Sequence, residues 1–392
     1  MNPRRIRIVG AIAALILILD CIVLAGWKDS DREGSSWAAR NRVPSELTGV
    51  PELERFVEQT RGLRFKQPVA IELVDQHELT SARHREAQLG EVAGGLVPTT
   101  ESDGGAVLGV MGLLPPDLDV DVDAAVGDAE DQGVVGVYFP RQKRLLVAGT
   151  KQTPFVREVL VHELTHALDD QYFDLGRADI GLHLDEAAES WIALAEGDAT
   201  WVEKQYVASL SAADQQTAAQ ERGAIAAGGG GAPSAIDDLL AYPYIAGYSF
   251  VDALHTHAGN GAVNAAFRHP PTTSEQLLRP DHYLAHDTPA MVQKPTPRGP
   301  AVGRGVFGVL HLGLLLSGAL DGPAIRDALD GWDGDRFVAW SESGRTCLAV
   351  NVANESPAAA AKLSSALHTW LDHNPTGTVA VQGDVVELER CA

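Results

Sequence analysis

Positive charge is scarce in this chain. Its 392 residues carry 31 Lys and Arg against 53 Asp and Glu, a formal net charge of −22. Nucleic acid and anionic membrane surfaces are held through basic patches, so this balance excludes nucleic acid as a partner and argues against an acidic lipid surface. Other absences narrow the function further. There is no internal repeat. Ser190 and Ser249 lack the strand-turn-helix surroundings of a nucleophile elbow, and the glycine-rich "AAGGGGAP" lacks the lysine and helix pattern of a phosphate-binding loop. Asp119 to Glu130 sets acids at positions 1, 3, 5 and 12 of a calcium loop, but Ala124 stands where the turn needs glycine, so it reads as a solvated acidic loop. His255 and His257, two apart on an expected helix, do not easily share one ion.

What is present is an ordinary globular composition, 45% hydrophobic and 21% charged, with length for one large domain or two smaller ones. The chain opens with Arg4, Arg5 and Arg7 ahead of an apolar run from Ile8 to Trp27, interrupted by Asp20. About 20 apolar residues span a bilayer as a helix, and the basic residues on its N-terminal side keep that end cytoplasmic. The expectation is a single-pass cell-membrane anchor with the bulk of the chain extracytoplasmic; the alternative is a signal peptide, cut after small residues such as Val23 and Ala25, and a secreted protein. Of three cysteines, Cys21 falls in the apolar run, and Cys347 and Cys391 are expected to form a disulfide in the oxidising exterior.

Along the chain, residues 1–45 read as anchor or signal segment and linker, 46–133 as an N-terminal α/β subdomain, 134–345 as a catalytic domain and 346–392 as a C-terminal α/β appendage. The run "VVGVYFPRQKRLLVAG" predicts a hairpin turning near Pro140 to Lys143. Thr153-Pro154 predicts a helix start, a capping hydroxyl followed by proline at the first helical position. That helix carries "VHELTHALDDQYFD". Residues i and i+4 share a helix face, so His162 and His166 can present imidazole nitrogens to one ion, and Glu163 can serve a metal-activated water as general base. A zinc site needs a third protein ligand. The next helix, expected from Asp185 to Leu210, offers Glu186, Glu189, Glu196 and Asp198. Glu189 and Glu196 are seven apart on one face, and geometry alone leaves both open. Glu186 in the first turn is equally explained by the helix dipole. The apolar neighbours Trp191, Ile192, Leu194 and Ala195 favour Glu196 as the inward carboxylate, one that burial obliges to find a cation or hydrogen bonds.

"VHELTHALDDQYFDL" followed by "ALAEGDATW" resembles the two zinc-site helices of bacterial zinc metallopeptidases of the zincin type, in the branch with glutamate as third ligand. "LRFKQPVAIELV", "GLLPPDLDV", "VVGVYFPRQKRLLV", "PYIAGYSFVDAL", "PPTTSEQLLRPDHY" and "GWDGDRFVAW" are similar to further blocks of that family, in order, over most of residues 50–350. The resemblance implies an α+β fold with an active-site helix beside a small sheet, a second helix bearing the third ligand, and a mainly helical C-terminal half. It implies one Zn2+ held by His162, His166 and Glu196, with Glu163 as general base. Where it would place histidine before the proline of "TSEQLLRP", this chain has Arg279. Tyr244, His282 and Arg279 are candidates to stabilise an oxyanion, and Asp169, Asp170 and Asp198 to orient a ligating histidine. The expected function is zinc-dependent hydrolysis of peptide bonds in a protein or peptide substrate outside the cytoplasm. The alternative is a non-catalytic exported module with a structural zinc that binds a protein partner; Glu163 favours the enzyme, since a structural site needs no general base.

Overall fold

The computed structural model describes Pro44 and residues 47–89, 104–114, 134–149, 151–176, 186–228 and 234–392. The apolar run at 8–27 and the acidic run at 119–130 lie outside them. Among the described residues no helix is long and apolar enough to cross a membrane. Helices and largely antiparallel strands are mixed, an α+β composition. Contacts divide the described residues into two compact units. The first takes those within Met1–Gly94, Val126–Leu182 and Trp191–Pro270, and the second those within Gly95–Ala125, His183–Ser190 and Pro271–Ala392.

The first unit begins with α1 (Val50–Arg61), β1 (Ala70–Val74) and α2 (Gln76–Leu89). The expected hairpin is β2 (Gly136–Phe139) and β3 (Arg144–Ala148). The sheet order is β1-β3-β2, with β1 parallel and β2 antiparallel to β3. Strand alternation sorts the side chains. Ile71, Tyr138, Leu145 and Val147 join the core shared with α1 and the motif helix; Val137, Phe139 and Leu146 face Leu79 and Ala82 of α2. The motif helix α4 (Pro154–Phe173) starts as expected, with Thr153 Oγ1 accepting from Val156 N at 3.3 Å and Pro154 in its first turn. It is buried without a break from Glu158 to Asp170. Every polar side chain in that stretch therefore needs a partner inside the protein. The other helices here are α5 (Glu186–Ser209), whose first turn falls in the second unit, α6 (Ala212–Gly228) and α7 (Ser234–Arg268), which breaks at Ala258 and Gly259.

In the second unit, α3 (Gly104–Val110), α8 (Ser274–Leu278), α9 (Pro280–Ala285), α10 (Gly308–Ser317) and α11 (Gly322–Ala328) accompany a five-stranded antiparallel sheet. Its strands are β4 (Ala301–Gly305), β5 (Trp332–Glu342), β6 (Arg345–Asn354), β7 (Gly377–Gln382) and β8 (Val385–Cys391), in the order β4-β5-β6-β8-β7. Helix α12 (Pro357–His373) packs on it. Ser343 and Gly344, both at positive φ, turn β5 into β6 as a two-residue hairpin loop. Cys347 and Cys391 sit opposite each other on β6 and β8 and are joined as a disulfide.

Two strand pairings cross the segment boundaries drawn from the sequence. β1, from the 46–133 segment, is hydrogen-bonded along its whole length to β3, so this segment shares a sheet with the 134–345 segment. Likewise β6, from 346–392, pairs along the whole of β5, so the final segment completes a sheet begun before it. Parallel pairing and sheet order link residues far apart in sequence, beyond the reach of local pattern. The second half also holds strands that sequence pattern did not mark. β5 is buried at most positions on both faces and shows no clean alternation to mark it as a strand.

Candidate metal centre

Glu158, His162, Glu163, His166, Asp169 and Asp170 on α4 are all buried, as are Glu196, Asp198 and Glu203 on α5. Two close approaches set the helices in place. Gly197 of α5 meets Gly247 of α7 so tightly that a β-carbon on Gly247 would lie 1.8 Å from the Ala193 carbonyl oxygen. Only glycine admits that contact, and Tyr244 lies about one turn before Gly247 on α7. The second is Arg61 at the end of α1, buried with its Nη2 2.9 Å from Asp169 Oδ1 and its Nε 2.6 Å from Asp198 Oδ2. It also donates to Asn260 Oδ1 and Asn264 Oδ1 of α7, each at 3.1 Å. One guanidinium therefore joins the helix bearing the histidines to the helix bearing Glu196. Burial pushes the Asp169 carboxyl up, with Arg61 opposing and Asp198 adding to the rise.

His162, His166 and Glu196 offer ligand atoms that all lie close together, and all three are buried. His162 Nε2 is 3.0 Å from His166 Nε2 and 3.1 Å from Glu196 Oε2; His166 Nε2 is 3.4 Å from the same oxygen. A tetrahedral zinc with bonds of ~2.0–2.1 Å has ligand-to-ligand edges of ~3.3 Å, so this triangle has the size of three corners of a zinc shell. The donor set agrees. His162 Nδ1 lies 3.1 Å from Glu203 Oε2; a proton there leaves the Nε2 lone pair facing another imidazole nitrogen and a carboxylate oxygen. Two imidazoles with one carboxylate are a donor set that suits zinc while leaving a fourth position for water.

Glu163, next to the first histidine, accepts from Tyr138 N at 2.7 Å through Oε2. Since Ala148 N donates to Val135 O, the even-numbered residues of β2 turn their main-chain groups away from β3. Tyr138 N thus comes from the outer edge of the sheet. Tyr244 is buried, its ring centroid 6.3 Å from that of His162.

The remaining sequence candidates have other partners. Asp169 and Asp198 grip Arg61. Asp170 accepts from Tyr138 Oη at 2.7 Å and pairs with Lys143 at 2.8 Å, tying the hairpin to the end of α4. In the second unit, Glu189 Oε1 stands 3.6 Å from His311 Nε2, and Glu186 accepts from Ser274 N at 2.9 Å. There too, Arg279 pairs with Asp330 at 3.2 Å and Glu275 at 3.5 Å, and His282 with Asp287 at 3.0 Å. His255 stacks on Trp201, with ring centroids 3.6 Å apart.

The residue that pattern reading missed is Glu203, which holds His162 from behind. Its signal was available, because Glu203 follows Glu196 by the same seven residues that separate Glu189 from Glu196. Burial pushes Glu203 up to about 7, against its hydrogen bond with Glu158 and the charge of Arg222. Burial, then the charge of Glu203, pushes Glu158 up to about 8, with Arg222 opposing. Residues 294–390, which lie in the second unit, match a family model described as a domain of unknown function, DUF8575. No curated protein and no solved structure matches the chain.

Proposed function

We propose that the first unit is a zinc metallopeptidase that hydrolyses peptide bonds in a protein or peptide substrate outside the cytoplasm. The observation that carries the reading is the buried triangle of His162 Nε2, His166 Nε2 and Glu196 Oε2, with Glu163 beside it. When bound there, zinc supplies Lewis acidity, acidifying water and polarising a carbonyl. Glu163 takes a proton from the attacking water and delivers it to the leaving amine; its anchorage to Tyr138 N holds the carboxylate in one orientation for both transfers. Tyr244, packed near His162, is the candidate to stabilise charge on the carbonyl oxygen. A peptide substrate is favoured by β2, which lies at an edge of its sheet among the described residues. Its outward main-chain groups, apart from the Tyr138 N held by Glu163, offer an extended chain a strand to pair with.

An extracytoplasmic site is supported by the basic-then-apolar N-terminus and by the Cys347–Cys391 disulfide, which suits an oxidising compartment. The test compares wild type with Glu163→Gln and Glu196→Ala for bound zinc and for cleavage of a broad peptide library. The reading expects near-stoichiometric zinc in wild type and Glu163→Gln, cleavage by wild type alone, and weakened zinc binding in Glu196→Ala. Zinc retained in wild type without cleavage of any peptide would instead favour the non-catalytic module with a structural zinc.

A further inference from the structure

We propose that Glu203 is the positioning residue of the metal centre: it holds the proton of His162 on Nδ1 and fixes the ring so that Nε2 faces the ion, and Glu158 and Arg222 hold Glu203 in turn. This rests on the reading of His162 as a metal ligand. Glu196 and Glu203 lie two turns, ~10.5 Å, apart on one face of α5, and the imidazole of His162 fills the space between them. Its Nε2 is 3.1 Å from Glu196 and its Nδ1 is 3.1 Å from Glu203. The ring itself separates Glu203 from the Nε2 side, so Glu203 cannot share an ion with His166 and Glu196. Its service to the site runs through His162.

The support behind Glu203 is buried and specific. Glu158 sits one turn before His162 on α4, and its carboxyl makes a side-chain hydrogen bond with that of Glu203. Both carboxyls are buried. Glu158 Oε1 accepts from Arg222 of α6. Arg222 to Glu158 to Glu203 to His162 is thus a continuous chain reaching Nδ1 of the ligand histidine from outside the two ligand helices. Partners of this kind orient a ligating histidine and raise its basicity, and their removal typically weakens metal binding about 10–100-fold.

The test uses the full chain as wild type, Glu203→Gln, Glu203→Ala and Glu158→Gln, with Zn2+ affinity measured by chelator competition and Co2+ as a spectroscopic probe. Glu203→Ala is expected to weaken zinc about 10–100-fold and to shift the Co2+ d–d bands. Glu203→Gln keeps an acceptor but loses the charge, so its zinc affinity should fall between those of wild type and alanine, as should that of Glu158→Gln. The imidazole Nδ1–H signal of His162 in nitrogen-detected NMR should be present in wild type and lost in Glu203→Ala. If Glu203→Ala does not fold, Glu203→Gln decides on the same readouts. Unchanged zinc affinity and an unchanged Co2+ spectrum in both Glu203 variants, beside a wild type that binds zinc, overturn this inference and leave the metal site standing. A wild type that binds neither ion overturns the metal reading itself.

Discussion

Replacing Arg61 by methionine keeps most of the side-chain volume and removes the cation paired with Asp169 and Asp198 in the first unit. Removing one member of a buried ion pair costs about 3–5 kcal/mol. The side-chain oxygens of Asn260 and Asn264 lose a donor as well, about 1 kcal/mol each when buried. These losses share one cavity and are not additive, so a total near 5 kcal/mol is expected, comparable with the whole stability of many domains. Urea denaturation followed through Trp191 and Trp201, which belong to the first unit, measures it. The cause is checked by combining Arg61→Met with Asp169→Asn, which removes a stranded charge and should recover about 2 kcal/mol or more. pH gives a second check. Asp169 is already pushed up by burial and pulled down by Arg61, so losing Arg61 raises it further and makes it easier to neutralise. The deficit of the variant should therefore narrow as pH falls. A loss below about 1 kcal/mol, or energies that simply add across the double variant, refutes the claim that Arg61 compensates these acids.

Glu186 is pushed by burial, and then by Asp335, up to about 8, so the folded chain keeps a proton there that the unfolded chain loses near pH 4.5. Its contribution is present below the unfolded value and is lost as pH rises toward 8, by at most about 5 kcal/mol; Glu186→Gln should flatten the fall in stability of the second unit over that window, and parallel curves would count against it. Gly247→Ala drives a methyl into the Ala193 carbonyl, and forcing α5 and α7 apart should cost about 3 kcal/mol and weaken zinc by displacing Glu196; unchanged thermal stability would mean that the helices have room to spare.

The parts of this molecule legible in the sequence are those that local chemistry dictates. Thr153 and Pro154 begin α4 because a hydroxyl and a missing N–H suit a helix start, and four-residue spacing suffices to put His162 and His166 on one face. The third carboxylate was harder, because Glu189, Glu196 and Glu203 repeat every seven residues and share a face. Only tertiary packing separates them: Glu189 faces His311, Glu196 faces the Nε2 atoms, and Glu203 faces Nδ1. Arg61 was invisible for a related reason. At the end of an amphipathic helix it reads as a solvated charge at the negative end of the dipole, and nothing local announces that Asp169 and Asp198, more than a hundred residues downstream, surround it.

The charge balance of the first unit bears on the metal independently of the motif. Glu158, Glu163, Asp169, Glu196, Asp198 and Glu203 are all buried in it, and among its described residues Arg61 and the partly exposed Arg222 are the cations paired with this group. A buried carboxylate stays charged only where a cation or several donors hold it, and otherwise takes up a proton. Arg61 pairs with Asp169 and Asp198, and Arg222 with Glu158. Under the reading proposed above, a dication held by Glu196 and the two imidazoles adds to this balance. The same ledger does not distinguish a structural ion from a catalytic one. Glu163 favours the catalytic reading proposed above: with Oε2 tied to Tyr138 N it lies outside the ligand triangle. A fold that needed zinc only as a brace would gain nothing from burying a further carboxylate beside it.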